Sequence, residues 1–502
     1  MEVLSVEKVK LIDKAAIKEI GIPSIVLMEN AAQGIFENII NKSENFIIFC
    51  GEGNNGGDGL GVARKLLLNG KNVKVYVVGN GKNRSEEFNI NFRILSGLTQ
   101  CIGIIKTKDD IPYEILGSIS DNSLIIDSVL GLGLNRIVDD FRYSIIKEIN
   151  KSKAKKIAID IPSGLDGDTG RPLGISVVAD ETYTIQTLKV GFFNREARKY
   201  LGDVKTIDIG IPAQITNLHS DGIRVLEKVE YSNILPKRDR FGHKGNYGRV
   251  LILAGSLGLT GAAILSSRAC IECGTGLTTL LIDGEAQKIV AENLVEVMTV
   301  NYSEEEKIKE LILKADVIAC GPGLGMAKKQ INMLEKCIKE SSCPLVIDAD
   351  GLNIISERPE LLEFLKGRAV FTPHPGEMSR LINKSVEDIE RNRIKECREF
   401  SRKYSVVTIL KGHNTVISDG GEVIINTTGN SKMASGGMGD ALTGIIASFI
   451  GQGIDIFNSA KLACFIHGLA GEEAGEGKYS VKASDVIAKL PYMLLNISKN
   501  KL

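Results

Sequence analysis

Short apolar runs recur along this chain, separated by stretches whose apolar residues repeat at helical spacing. In the first half they are FIIFC (46–50), VKVYVVG (73–79), SLIIDSVL (123–130), KIAIDIP (156–162), ETYTIQT (181–187) and VKTIDIG (204–210). Runs that are apolar on both faces and alternate with helices need cover on both sides, which a parallel or mostly parallel sheet provides. Around 212–245 the pattern lapses into Pro, Gly and charge, the composition of a linker or domain entry. A second series begins at RVLILAG (249–255). It runs through LTTLLID, DVIACGPGLG, PLVIDADGLN, RAVFTPHPGE and YSVVTILKG to a hairpin-like pair, NTVISDGGEVIINTTGN. The chain thus reads as two α/β domains, and its 502 residues are too many for one ordinary core.

Composition narrows the function classes. Lys+Arg and Asp+Glu both total 62, which argues against a broad nucleic-acid footprint. The N-terminal MEVLSVEKVKLIDKAAIKEI has no apolar signal core and reads as an amphipathic helix, and no stretch is apolar enough to span a bilayer. Nine scattered cysteines suit free thiols in a reducing, cytoplasmic setting. Cys270 and Cys273 form a CxxC on an expected helix with no second pair, so they read as buried core. Cys50, at the end of a strand, reads the same way.

The loops carry the chemistry. GEGNNGGDG (51–59) lies between a strand and a helix, and Gly51, Gly53 and Gly56 fit a dinucleotide-binding fingerprint. Such a turn can cradle a pyrophosphate on N–H groups at the helix N-terminus. A hydride-transfer site also wants an acid at the end of the next strand, but that strand ends YVVGNG, so ordinary NAD binding is disfavoured. Asp127 lies near one strand end, with Gly131 and Gly133 just after it. Asp160 lies near another, with Ser163 a turn beyond. In a parallel sheet these loops share one edge. Asn55, Asp127 and Ser163 could then pool oxygen atoms around a group I or II cation. Asp127 and Asp160 could equally be caps or turn formers.

MEN at 28–30, GEGNNGGDG, the Asp127 segment and AIDIPSGLDGDTG resemble the YjeF N-terminal family, the NAD(P)H-hydrate epimerases, over residues 1–215. The resemblance implies a Rossmann-like doubly wound domain that interconverts the R and S epimers of hydrated NADH or NADPH. It implies substrate contacts from Asn54, Asn55, Gly56, Gly57 and Asp58, from Gly131, Leu132, Gly133, Leu134, Asn135, Arg136 and Ile137, and from Asp160. It implies K⁺ held by Asn55, Asp127 and Ser163. Asp160 is the expected acid/base.

In the second half, TTGNSKMASGGMGDALTGIIASFIGQG sets glycines against a helix start, where N–H groups and the dipole attract an anion. Asp440 follows at once. It could take a proton from a hydroxyl attacking a phosphoryl group, or act as an N-cap. With HKGNYGRVLILAGS, ACGPGLG, VIDADGLN, TPHPGE and KGHNT, this run resembles the ribokinase-like ADP/ATP-dependent NAD(P)H-hydrate dehydratases over 228–495.

That resemblance implies substrate contacts from Gly323, from His374, Pro375, Gly376, Glu377, Met378, Ser379 and Arg380, and from Asp440, the catalytic carboxylate. It implies that Lys411, Gly412, His413, Asn414 and Thr415 hold the adenine nucleotide. Asn430, Ser431, Lys432, Met433, Ala434, Ser435, Gly436, Gly437, Met438 and Gly439 would do so too. Met438 departs from the family's usual residue but would still offer its backbone N–H. Mg²⁺ is expected with the phosphates, and Asp348 and Asp350 are either a structural pair or orient metal and water. ADP and ATP both remain open, and a homo-oligomer is expected. The competing reading is a ribokinase-like small-molecule kinase fused to a non-catalytic nucleotide-binding module.

Overall fold

The computed structural model describes residues 1–113, 116 and 122–499. The chain divides into two compact units, Met1–Asp221 and Gly222–Leu502.

The first unit is built on seven strands: β1 (Asn45–Cys50), β2 (Asn72–Val78), β3 (Ile102–Ile105), β4 (Ser123–Ser128), β5 (Lys155–Ile159), β6 (Glu181–Ile185) and β7 (Asp203–Ile207). Their order is 3-2-1-4-5-6-7 and every pairing is parallel. Phe46, Ile48 and Cys50 of β1 point into one core, under helices Ser24–Ile39 and Asn54–Leu68. Ile47 and Phe49 point into another, under helix Asp140–Lys151. This is the two-faced burial that the apolar runs require. The order reverses between β1 and β4, so the loops after those strands flank the crevice where open α/β sheets bind ligands. A short parallel pairing of Val3–Leu4 with Leu188–Lys189 ties the N-terminus to the segment after β6. Helix Val6–Ala15 follows, capped by the Ser5 hydroxyl, which accepts from Lys8 N.

The second unit has a ten-stranded sheet: β8 (Ile223–Arg224), β9 (Arg249–Leu253), β10 (Leu277–Ile282), β11 (Met298–Asn301), β12 (Val317–Cys320), β13 (Leu345–Ile347), β14 (Ala369–Phe371), β15 (Val407–Leu410), β16 (Thr415–Ser418) and β17 (Val423–Asn426). The order is 8-17-16-15-14-13-12-9-10-11. Only β16 runs antiparallel to its neighbours, forming the expected hairpin with β17. Helix Met438–Gly451 is buried from Ala441 onward. A Cβ at its Gly444 would collide with Ser266 O of helix Thr260–Glu272, so glycine permits this close helix crossing.

Among the described residues no helix is long and apolar enough to cross a membrane. All nine cysteines are free. Cys50, Cys270 and Cys273 are buried, as expected of core residues.

Candidate active sites

The glycine loop after β1 has little steric choice. A Cβ on Gly51 would collide with Val129 O, and one on Gly56 with Gly51 O. Helix Asn54–Leu68 therefore starts tightly against the β4 loop. The N–H groups of Asn54, Asn55 and Gly56 have no backbone partner among the described residues, as at any helix start. They open on a cavity of about 670 Å³. Asn54, Asn55, Gly56, Asp58, Asp160 and all seven residues Gly131–Ile137 line it. Gly57 turns away: its carbonyl accepts from Asn91 Nδ2 at 3.2 Å, and a Cβ there would press on Met28.

Asn55, Asp127 and Ser163 converge below this cavity. The Asp127 carboxylate accepts from Ser163 N at 2.7 Å and from Ser163 Oγ at 2.6 Å. Ser163 Oγ accepts from Leu130 N at 2.7 Å, and Asn55 Nδ2 donates to Leu130 O at 3.1 Å. Asn55 Oδ1 is buried with no hydrogen-bond partner among the described residues. An orphaned carbonyl-type oxygen beside a buried carboxylate and a serine fits a hard, oxygen-ligated cation. Burial pushes the Asp127 carboxyl up to about 6, against the hydrogen bonds from Ser163 and Val129 that pull it down. Neither Asp127 nor Asp160 caps a helix.

Asp160 sits at φ 63°, a conformation that non-glycine residues rarely adopt. Its Oδ1 accepts from Lys189 Nζ at 2.5 Å and from Ile185 N at 3.0 Å. Lys189 is wholly buried, and its ammonium also reaches Thr184 Oγ1 at 2.6 Å and the carbonyls of Ile185 and Thr187 at 3.1 Å each. No hydrogen bond to Asp160 Oδ2 is made among the described residues. Sequence reasoning missed Lys189; a lone lysine in the apolar run TLKVGFF was the available signal. It also missed Asp13, which lines the same cavity.

In the second unit, Gly437 is the N-cap of helix Met438–Gly451, at φ 88°. The N–H groups of Met438, Gly439 and Asp440 have no backbone partner among the described residues. Asp440 is the third helical residue and caps nothing, so the capping alternative falls. Burial and the Asp348 carboxylate, with a smaller push from Asp350, raise it to about 6 against the pull of Lys411.

Asp348 is a buried anchor. Oδ1 accepts from Lys411 Nζ at 2.6 Å and Thr372 Oγ1 at 2.7 Å, while Oδ2 accepts from Thr443 Oγ1 at 2.8 Å. Burial works against the Lys411 charge, but the Asp348, Glu377 and Asp440 carboxylates outweigh it and hold its pKa above the ordinary value. Asp350 is separately engaged, accepting from Gly325 N at 2.8 Å. No cluster of three His, Cys, Asp or Glu suited to a metal occurs among the described residues.

His374 caps helix Pro375–Ile382: its Nδ1 accepts from Gly376 N at 2.9 Å, and Glu377 Oε2 accepts from His374 N at 2.7 Å. Met378 is fully buried in the core. Ser379 Oγ donates to Lys384 O and Arg380 Nε to Asn353 Oδ1. At Gly323, with φ 58°, a Cβ would collide with Leu259 O and Ala262 Cβ, while its carbonyl accepts from Ser256 Oγ. Gly412 (φ 146°) and Asn414 (φ 56°) bend the Lys411–Thr415 turn. In the 430–435 loop, Asn430 caps its own turn through Lys432 N. Lys432 Nζ and Ser435 Oγ donate to Gly475 O and Val481 O, and Met433 packs against Gly471. The side chains of Met433, Ser435 and Met378 are therefore committed to the fold, and the loop offers ligands mainly its backbone.

Comparison with known proteins agrees with this division. Residues 24–191 match the family described as YjeF-related protein N-terminus, and residues 250–492 match the one described as NAD(P)H-hydrate dehydratase. The chain is 35% identical to a bifunctional NAD(P)H-hydrate repair enzyme of Moorella thermoacetica, over 97% of this chain and 96% of that one. It is 32% identical to its counterpart in Dictyoglomus turgidum, over the full length of both. Among solved structures, a ribokinase-like superfamily protein from Enterococcus faecalis is 31% identical. It covers 55% of this chain and 97% of its own, with a TM-score of 0.53. The chain belongs to the family of bifunctional NAD(P)H-hydrate repair enzymes.

Proposed function

We propose that the first unit, over residues 1–215, interconverts the R and S epimers of hydrated NADH and NADPH. The second, over 228–495, dehydrates the S epimer back to the reduced coenzyme with consumption of ADP or ATP. The observation that carries this reading is the pairing of two open sets of helix N-terminal N–H groups, each beside an aspartate, at Asn54–Gly56 with Asp160 and at Met438–Asp440 with Asp440. Each is a cradle for phosphate next to a proton carrier.

At the first site the Gly131–Ile137 loop and the Asn54–Asp58 turn bind the nucleotide, and Asp160 moves a proton at the hydroxyl-bearing carbon. Lys189 fixes Asp160 Oδ1 and leaves Oδ2 to face the substrate. Asn55, Asp127 and Ser163 would hold K⁺, which would offset the charge of Asp127 and tie the three loops together.

At the second site the substrate lies by Gly323 and the His374–Arg380 turn. The adenine nucleotide lies along Lys411–Thr415 and Asn430–Gly439. Asp440 accepts the proton of the substrate hydroxyl as that oxygen attacks the terminal phosphoryl group. Phosphate then leaves where hydroxide could not, expelled by the ring nitrogen's lone pair, and loss of a ring proton restores the dihydropyridine. Lys411, anchored by Asp348, places a positive charge by the transferred group. A cytoplasmic setting suits the nine free thiols.

The test is direct. The full chain is mixed with both epimers of hydrated NADH, Mg²⁺ and either ADP or ATP, and the return of reduced-nicotinamide absorbance is followed. Consumption of both epimers, with a slower phase for R, is expected. Activity without nucleotide, or a phosphorylated alcohol that accumulates, would remove the second-unit reading.

A further inference from the structure

We propose that Asp13 is a second proton carrier of the epimerisation site, the acid that works opposite the Asp160 carboxylate. This rests on the assignment of that reaction to the first unit's cavity.

Asp13 lies on helix Val6–Ala15, outside the 24–191 segment that matches the YjeF-related N-terminal family. Its side chain nevertheless lines the cavity together with Asp58 and Asp160. The helix is pinned there by the fold. Val3–Leu4 pairs with Leu188–Lys189, the segment that supplies the ammonium behind Asp160. Val6 N donates to Asp168 Oδ1 at 2.7 Å, and Val9, Ile12 and Ala15 are buried. The next turn, Ala16–Ile20, is a π-helix that sets Ile17 in the cavity wall. Single π-turns recur beside functional sites.

The Asp13 carboxyl makes no hydrogen bond or ion pair among the described residues. The four oxygen partners of Lys189 leave it no proton to share. Burial, followed by the neighbouring Asp160 carboxylate, pushes Asp13 up to about 6, with Lys189 pulling the other way. Asp58 also faces the cavity unpartnered and is only 7% exposed. Burial, followed by Asp160, Asp13 and Glu87, raises it above the ordinary carboxylate range. A catalytic acid must recover its proton from solvent in each cycle, and Asp13, which is only partly buried, is better placed for that than the buried Asp58. Asp160, held against the Lys189 ammonium, is the carboxylate of the pair.

The proton balance follows. Asp13 gives its proton to the hydroxyl of the hydrated ring, the C–O bond breaks, and water leaves. The ring nitrogen's lone pair forms the C=N bond of a cationic iminium, which a carboxyl-rich wall favours. Water then adds from the opposite face and forms the new C–O bond. The C=N electron pair returns to nitrogen, and Asp160 takes the proton released. One water has left and one has entered, and solvent returns the transferred proton from Asp160 to Asp13.

The experiment uses the full chain with K⁺ and the S epimer of hydrated NADH. Adenine nucleotide is omitted so that dehydration is silent, and the R/S ratio is followed by chromatography. Asp13→Asn is expected to lower kcat above the uncatalysed rate by about 100-fold or more, with KM nearly unchanged. The wild-type rate should fall above about pH 6, where Asp13 loses the proton it must give, and this limb should vanish in Asp13→Asn. Asp13→Glu should restore part of the rate, and in ¹⁸O-labelled water each inversion should place one label in the product hydroxyl. Wild-type kinetics in Asp13→Asn with an inactive Asp160→Asn would overturn the role of Asp13 and leave the site standing. Retention of the original oxygen would overturn the C–O route. Wild-type activity in Asp160→Asn would instead overturn the site itself.

Discussion

Lys189 Nζ lies 2.5 Å from Asp160 Oδ1, and the lysine has no exposed surface. A buried ammonium with four oxygen partners is paired well enough to persist, but removing one member leaves a charge stranded. Lys189→Met is therefore expected to cost about 3–5 kcal/mol in denaturant unfolding. Lys189→Met combined with Asp160→Asn should cost clearly less than the sum of the two single changes. Strict additivity in that cycle would mean the pair is not coupled.

The Asn55–Asp127–Ser163 set predicts a potassium effect with a definite sign. The Asp127 carboxyl is raised to about 6 by burial, so its native form binds a proton more readily than the unfolded chain does. Between the ordinary carboxylate range and about pH 6 this group makes stability fall as pH rises, because the charged form is uncompensated. K⁺ compensates it. Exchanging K⁺ for choline should lower the melting temperature at pH 7.5 and change it little at pH 5, where a proton replaces the cation. Asp127→Asn should abolish the difference. An equal potassium effect at both pH values would rule out Asp127 as a ligand.

Asp440 gives the second unit a pH dependence. It must be ionised to accept a proton, and burial with the Asp348 carboxylate raises it to about 6. The dehydration rate should climb as pH rises through about 6 and level off above it. Asp440→Asn should lose a factor of at least about 100 on that plateau and should show no rising limb. A variant that kept the rising limb would show that another group is titrating.

Much of this was legible because it repeats or clusters. Apolar runs located fourteen strands, and the glycine loops marked the ends that carry ligands. What was missed has physical reasons. Ile102–Ile105 and Met298–Asn301 are four-residue edge strands whose side chains are partly exposed, so their apolar signal is thin. Lys189 looks like a surface lysine until the fold brings Asp160, 29 residues earlier in the chain, against it. Asp13 sits on an amphipathic helix where an acid is expected on the polar face, and only the tertiary placement of that helix turns it inward. His374 between two prolines reads as a ligand contact, and its sequence setting does not reveal that its Nδ1 also accepts the first N–H groups of the next helix. Local sequence reports periodicity and turns; which polar residue meets which is settled by the sheet order.

Gly437 tests the anion cradle of the second unit. Its φ of 88° lies in the left-handed region, and a Cβ there would press on the Leu265 side chain. Alanine in that conformation costs about 1–2 kcal/mol, and the chain can escape the cost by turning the peptide that aims the Met438 and Gly439 N–H groups. Gly436 has no such constraint: its φ is ordinary and an added Cβ would meet nothing within 4 Å. Gly437→Ala should weaken ADP or ATP binding by about tenfold in calorimetry, the equivalent of about 1.4 kcal/mol. Gly436→Ala should have the smaller effect. If the two variants bind nucleotide equally well, the backbone at this helix start does not hold the phosphates.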